Sequence, residues 1–277
     1  MKLLHNICIA ALCIFAADSL LASTLATDSQ ADPVYATWDP GDNGGIGWGG
    51  GWTFRDQANN ILTNTDSRHG WFVSTSTNND NPGDTNGDGD INSPSTGKAW
   101  GLYSNTTTND IYAIRPFDGP LSVGQTVKFD MDNGNIASSQ VVGLRFLTAA
   151  NDINSRDWEF RFVGGGTNYT IVNAAGTGNN TGLTFTREGL HIEFTLTGPT
   201  NYSATITKLV DGSTFTQTGA LISSSPILAL AFKNQEAGAG SASDAYFNNI
   251  AIVPEPAVGG LVGLGLILGV WRRRRGP

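Results

Sequence analysis

The residues with the most chemical promise lie in Asp84-Thr85-Asn86-Gly87-Asp88-Gly89-Asp90-Ile91-Asn92. Calcium takes six to eight oxygen ligands, so a loop that wraps it needs oxygen-bearing side chains at alternate positions and a glycine for a sharp turn. Here Asp84, Asn86 and Asp88 stand at positions 1, 3 and 5, Gly89 at 6, and Asn92 at 9. Asp90 would contribute its carbonyl at position 7. Position 12, where a bidentate acid belongs, is Ser95, preceded by Pro94. A more distant acid such as Asp80 would have to complete the shell. Such an ion, Ca2+, would be structural. The other reading of the same residues is a solvated run of Asx turns.

The spacing resembles the first part of an EF-hand or dockerin-type loop, but the flanks Ser74 to Gly83 and Ser93 to Gly97 carry no helical pattern. Hydrolysis of a glycosidic bond would need two carboxylates about 5 to 10 Å apart. Glu188 and Glu193 are separated as in the Glu-x-Asp-x-x-Glu strand of sandwich glycosidases, but Leu190 replaces the central Asp. Asp157 and Glu159 flank Trp158, share a strand face, and read as an exposed edge. His69 and His191 have no metal-ligand spacing, and no Gly-x-Ser-x-Gly elbow occurs. The expectation is a protein without catalytic residues. Gly44 to Trp52 sets tryptophans among glycines, and Trp48 and Trp52 could each offer a flat face to a sugar or belong to the core.

The two ends differ from everything between them. Met1-Lys2 precedes a mostly apolar run from Leu3 to Leu25, and Ala26 closes a small-residue site, with Ala22 as a second candidate. This is a signal peptide over residues 1–26, for the Sec machinery and signal peptidase. Both cysteines, Cys8 and Cys13, leave with it, so the mature chain has no disulfide. At the other end Val253-Pro254-Glu255-Pro256-Ala257 is followed by a short apolar run, Val258 to Trp271, and then Arg272-Arg273-Arg274-Arg275. At about 1.5 Å per residue that run spans roughly 22 Å, short for a transmembrane helix, and the arginines would hold its end on the cytoplasmic side.

Residues 254–277 resemble the PEP-CTERM sorting signal of Gram-negative bacteria. The resemblance implies recognition by an exosortase, processing near Pro254-Glu255-Pro256, and release or surface attachment in an exopolysaccharide matrix. It implies a membrane-anchored intermediate and a location on the outer surface or outside the cell.

Of the 277 residues, 14% are charged and the formal net charge is −8. Setting aside Asp18 and Glu255 leaves 22 of the 24 acids. Setting aside Lys2 and the four terminal arginines leaves 11 of the 16 bases, so the body, residues 27–253, is near −11. An acidic body of this kind does not bind nucleic acid, which needs a basic surface to displace counterions.

Apolar residues in the body alternate with polar ones, as at Val127-Phe129-Met131, Val142-Leu144-Phe146, Trp158-Phe160-Phe162 and Leu190-Ile192-Phe194-Leu196. A period of two marks strands with one buried face. About eleven such runs between Ile111 and Val253 predict an all-β, antiparallel two-sheet β-sandwich of jelly-roll type, over 111–253. The Gly/Trp/Asx-rich part, 27–110, would pack on the same sandwich. The closing run Asp244-Ala245-Tyr246-Phe247-Asn248-Asn249-Ile250-Ala251-Ile252-Val253 and the pair Phe117–Leu121 and Thr126–Met131 resemble concanavalin A-like (laminin-G-like) sandwiches. The chain is therefore expected to be an exported, non-catalytic, glycan-binding protein. A secreted glycoside hydrolase or lyase on the same fold, or a purely structural biofilm protein, are the alternatives.

Overall fold

The computed structural model describes residues 25–80, 89–105 and 110–254. Sixteen strands run in chain order as β1 (Ala26–Asp28), β2 (Thr53–Arg55), β3 (Ile61–Leu62), β4 (His69–Ser74), β5 (Ala99–Ser104), β6 (Ile111–Pro116), β7 (Gln125–Asn133), β8 (Val141–Leu147), β9 (Arg156–Val163), β10 (Asn168–Asn173), β11 (Gly176–Thr184), β12 (Leu190–Gly198), β13 (Asn201–Lys208), β14 (Thr214–Ala220), β15 (Ala229–Gln235) and β16 (Ala245–Pro254). Among the described residues the helical content is three single 3-10 turns. None of these is long and apolar enough to cross a membrane. The predicted signal peptide up to Thr24 and the tail from Glu255, with Pro256, the apolar run and Arg272 to Arg275, lie outside the described residues.

The strands form two antiparallel sheets. The first runs β14-β13-β12-β7-β16-β5-β4, with β1 also paired to β16, and the second runs β11-β10-β9-β8-β15-β6-β2-β3. The alternation read from the sequence sets which side of each strand faces the core. Phe232 of the second sheet stacks on Phe247 of the first with ring centroids 4.1 Å apart, and Phe146 meets Phe194 at 4.4 Å. The predicted runs from Ile111 onward are β6 to β16, and β1 to β5 add to both sheets.

Two local expectations change. Gly176 to Asn180, read as a turn, begins β11 and pairs with β10. Its glycines and asparagines lie in a register full of shifts, which tolerates residues without a core side chain. The Asn248-Asn249 pair makes a bulge. Asn249 takes φ +52, and the register against β7 shifts between Asn248 and Ala251. Asparagine tolerates that left-handed backbone better than most residues. Asn248, fully buried, donates to the Ile91 carbonyl (2.9 Å) and accepts from the Gln30 amide (3.0 Å). It thus ties two long connections to the closing strand.

Candidate functional site

The tryptophans belong to the core. Trp52 is 0% exposed, edge-on to Trp38 and Trp100, and its indole donates to the Tyr35 hydroxyl at 3.1 Å. Trp48 is 9% exposed, packs near Phe117 and donates to the Thr27 carbonyl at 3.1 Å. Neither ring has a free face for a sugar. The glycines between them serve backbone approach instead: a Cβ on Gly49 would stand 2.2 Å from the Phe117 carbonyl oxygen.

Asp84, Asn86 and Asp88 of the predicted calcium loop lie outside the described residues. Asp90 and Asn92 are described. Asn92 accepts from the Ser76 amide (2.8 Å) and donates to Thr75 Oγ1 (3.0 Å) and Asp90 (3.2 Å), so its amide clips two connecting segments together. Gly89, at the predicted turn, has φ +89. Of the predicted sorting motif, Pro254 is the last residue of β16 and pairs with Gln125.

Among the described residues, several ion pairs converge on the outer face of the second sheet, around Glu159 in β9. Arg145 in β8 stands directly opposite in register and reaches the carboxylate at 3.1 Å. Arg156 reaches it at 2.7 Å and Arg161 at 3.7 Å, and Lys233 of β15 pairs with it from two strands away. Lys233 lies opposite Gly143 in β8, which has no side chain to block that reach. A register shift beside Phe146 pairs Leu147 with Arg156, skipping Asp157, and so brings Arg156 onto the same face. Glu159 and Lys233 are fully buried, whereas the Arg145, Arg161 and Arg156 side chains are 13%, 18% and 26% exposed. The Arg145 guanidinium also lies 5.1 Å from the Tyr112 ring centroid.

One carboxylate among several cations fixes the protonation states. Burial works against ionised Glu159, but Lys233 and Arg145, then Arg161, outweigh it and hold its pKa at about 2. Lys233 has lost its water and feels Arg145 and Arg161 as well, so its pKa falls to about 7 despite Glu159. Asp110, pushed up to about 6 by burial, feels both Lys233 and Arg145 and is a second, more distant acid.

Asp157 and Glu159, read from the sequence as an exposed edge, are both 0% exposed, because β9 is an interior strand between β8 and β10. Asp157 accepts from the Ser223 amide at 2.6 Å. A glycosidic bond cannot enter between two such buried acids.

On the outer face of the first sheet, charges balance pairwise. Glu193 pairs with Lys128, and His191 donates to or accepts from Asp130 at 2.6 Å. Chiefly that bond to Asp130 raises the His191 pKa. Beyond them the register aligns Thr126, Thr195, Ser203 and Thr218 across four strands, and Thr205 with Thr216. The sequence has no sustained Thr-x-Thr ladder, yet lateral pairing assembles a hydroxyl array. An open groove of about 600 Å³ beside β3 and β4 is lined by Asp56, Gln57, Leu62, Asn64, Asp66 and Arg68, among others.

No protein-family profile matches the chain, and no curated protein does. Among solved structures it is similar to arcelin-5, a lectin-like defense protein from Phaseolus vulgaris, at 7% identity and TM-score 0.39, over 68% of this chain and 99% of that one. It is similar to a carbohydrate esterase, vb_24B_21, of the Shiga toxin-encoding bacteriophage phi24B, at 13% identity and TM-score 0.46, over 85% and 100%. A third similar structure comes from work on endo-acting O-glycanases of human gut bacteria, at 9% identity and TM-score 0.48, over 84% and 100%. At these values the likeness says nothing of ligand or activity.

Proposed function

We propose that this chain is an exported, non-catalytic sandwich protein that binds an acidic polysaccharide through the outer face of its second sheet. One observation carries the reading. Four of the body's eleven basic residues, Arg145, Arg156, Arg161 and Lys233, gather around a single carboxylate on a body that is otherwise strongly acidic. Glu159, Asp157 and Asp110 stand against these four cations and leave that face with a small positive excess. Three guanidiniums there keep partial exposure, and a planar guanidinium matches a carboxylate with two parallel hydrogen bonds. The carboxylates of a uronate-bearing exopolysaccharide fit that chemistry.

The probe is polygalacturonate against neutral dextran, measured by calorimetry with the full chain. Polygalacturonate should bind, weaken as salt rises, and lose about tenfold or more in affinity in Arg156→Gln/Arg161→Gln, which removes two charge-assisted donors. Equal binding of dextran, or an unchanged affinity in the double variant, rejects the reading.

The sorting tail completes the proposal. Its support is the order of Pro254-Glu255-Pro256, apolar run and arginine cluster, with an exosortase as the processing partner. Export also needs the leader removed. Ala26 is a buried β1 residue paired with Ile252, so cleavage after Ala22 rather than Ala26 keeps β1 whole. Mass spectrometry of the exported protein should find Ser23 at its start and Arg272 to Arg275 gone. An intact arginine cluster on the mature form would refute exosortase processing, and a start at Thr27 would refute the Ala22 site.

A further inference from the structure

We infer that Asp80, Asp90 and Asp132 form a binding site for a divalent cation, of calcium rather than magnesium type, on the outer face of the first sheet. Each offers one carboxylate oxygen, and the three oxygens lie within 4.8 Å of one another. Two oxygens on opposite sides of a calcium ion, each about 2.4 Å from it, stand about 4.8 Å apart. The cluster therefore has the span of one coordination shell.

Three elements meet there. Asp132 comes from the end of β7, where the strand period turns its side chain away from the core. Asp80 follows the 3-10 turn Ser76–Asn79. Asp90 sits in the returning segment, held by Ser76 Oγ at 3.1 Å and by the Asn92 amide at 3.2 Å. Those two connecting segments cover the end of β7, and Asp132 is fully buried beneath them.

The second observation is the state of Asp132. Ser76 and Asn79 approach it, but neither closes a hydrogen bond of ordinary geometry, and both carboxylate oxygens are left without a partner. Carboxylates this close need a counter-charge, supplied by protons or by a cation. Oxygen donors from irregular loops suit calcium, whereas magnesium demands near-octahedral geometry and keeps several waters.

The test uses the full chain, stripped with EDTA and then given CaCl2 or MgCl2 alone. Binding at about a hundredfold over the dissociation constant should raise the melting temperature by about 5 to 10 °C for a body of this size. Magnesium should give less than half of that. Asp132→Asn should abolish the calcium shift, and in EDTA it should melt no lower than the parent because one of three crowded carboxyl groups is gone. Should Asp132→Asn not fold, Asp90→Asn decides, since Asp90 is only partly buried; it should lose at least half the shift. No calcium response in the parent chain means that protons supply the counter-charge and overturns the proposal. A full response in Asp90→Asn overturns it too. Polysaccharide binding through the second sheet is independent of either result.

Discussion

Arg115→Met should destabilise the protein by about 3 to 5 kcal/mol, the usual cost of removing one partner of a buried ion pair. Arg115 lies on the core side of β6, between the rings of Trp48 and Trp52, with its guanidinium 5.3 and 5.5 Å from their centroids. It pairs with Asp28 of β1 at 2.9 Å, both side chains fully buried. It also donates to the carbonyls of Gly44 and Gly50 at 2.7 Å each and of Asp42 at 3.3 Å. One side chain thus holds the first strand and the glycine-rich connection against the sandwich. Methionine fills the volume but leaves Asp28 and those carbonyls without their donor. Asp28 sits at about pKa 6, because burial outweighs Arg115, so in the variant it can shed its charge and cap the loss. Chemical denaturation at pH 7 measures the difference. A loss below about 1 kcal/mol would mean that the pair is not holding this region. Asp28→Asn with Arg115→Met should recover part of the loss, since no buried charge then remains.

Glu159→Gln is the second large effect. It withdraws the carboxylate shared by Arg145, Arg156, Arg161 and Lys233, and should cost about 3 kcal/mol at pH 7. Adding Lys233→Met should return much of that, because the fully buried cation goes too. A single variant as stable as the parent would show that the cluster contributes nothing to folding. The pH dependence follows from the same groups. Glu159 has a folded pKa of about 2, below its ordinary 4.5, so its contribution is complete above pH 4.5 and is lost as pH falls towards 2. Asp28 and Asp110, raised to about 6, act oppositely and add stability as pH falls from 6 to 3.8. Unfolding by acid should therefore set in only below about pH 4, and Glu159→Gln should flatten that limb. Lys233, depressed to about 7, favours the folded state as pH rises from 7 towards 10.5, where only the unfolded chain still holds the proton.

The class of fold was legible in local patterning alone. Residues two apart on a strand share a face, so Trp158-Phe160-Phe162 or Leu190-Ile192-Phe194-Leu196 declare which side is buried without any knowledge of neighbours. The proposed tail motif and leader are local signals too, but they lie outside the described residues. Strand partnership is not local, and there the sequence was silent. Lys233 meets Glu159 only because β15 pairs with β8, and β8 with β9, in one particular register. Asp132 alternates outward in β7 like an ordinary solvent-facing acid, and it is buried only because residues 74–80 and 89–93 fold back over it. For Trp48 and Trp52, periodicity could not separate platform from core, since both need an aromatic beside glycine; packing against Phe117, Trp38 and Trp100 decided it. The calcium-like spacing included Asp90 and the outlying Asp80, but the carboxylate that the fold sets beside them, Asp132, comes from a strand 42 residues further on, from position 90 to 132. A linear motif constrains only what the backbone brings together within one loop. A buried cluster is assembled by whichever elements the sheets lay side by side.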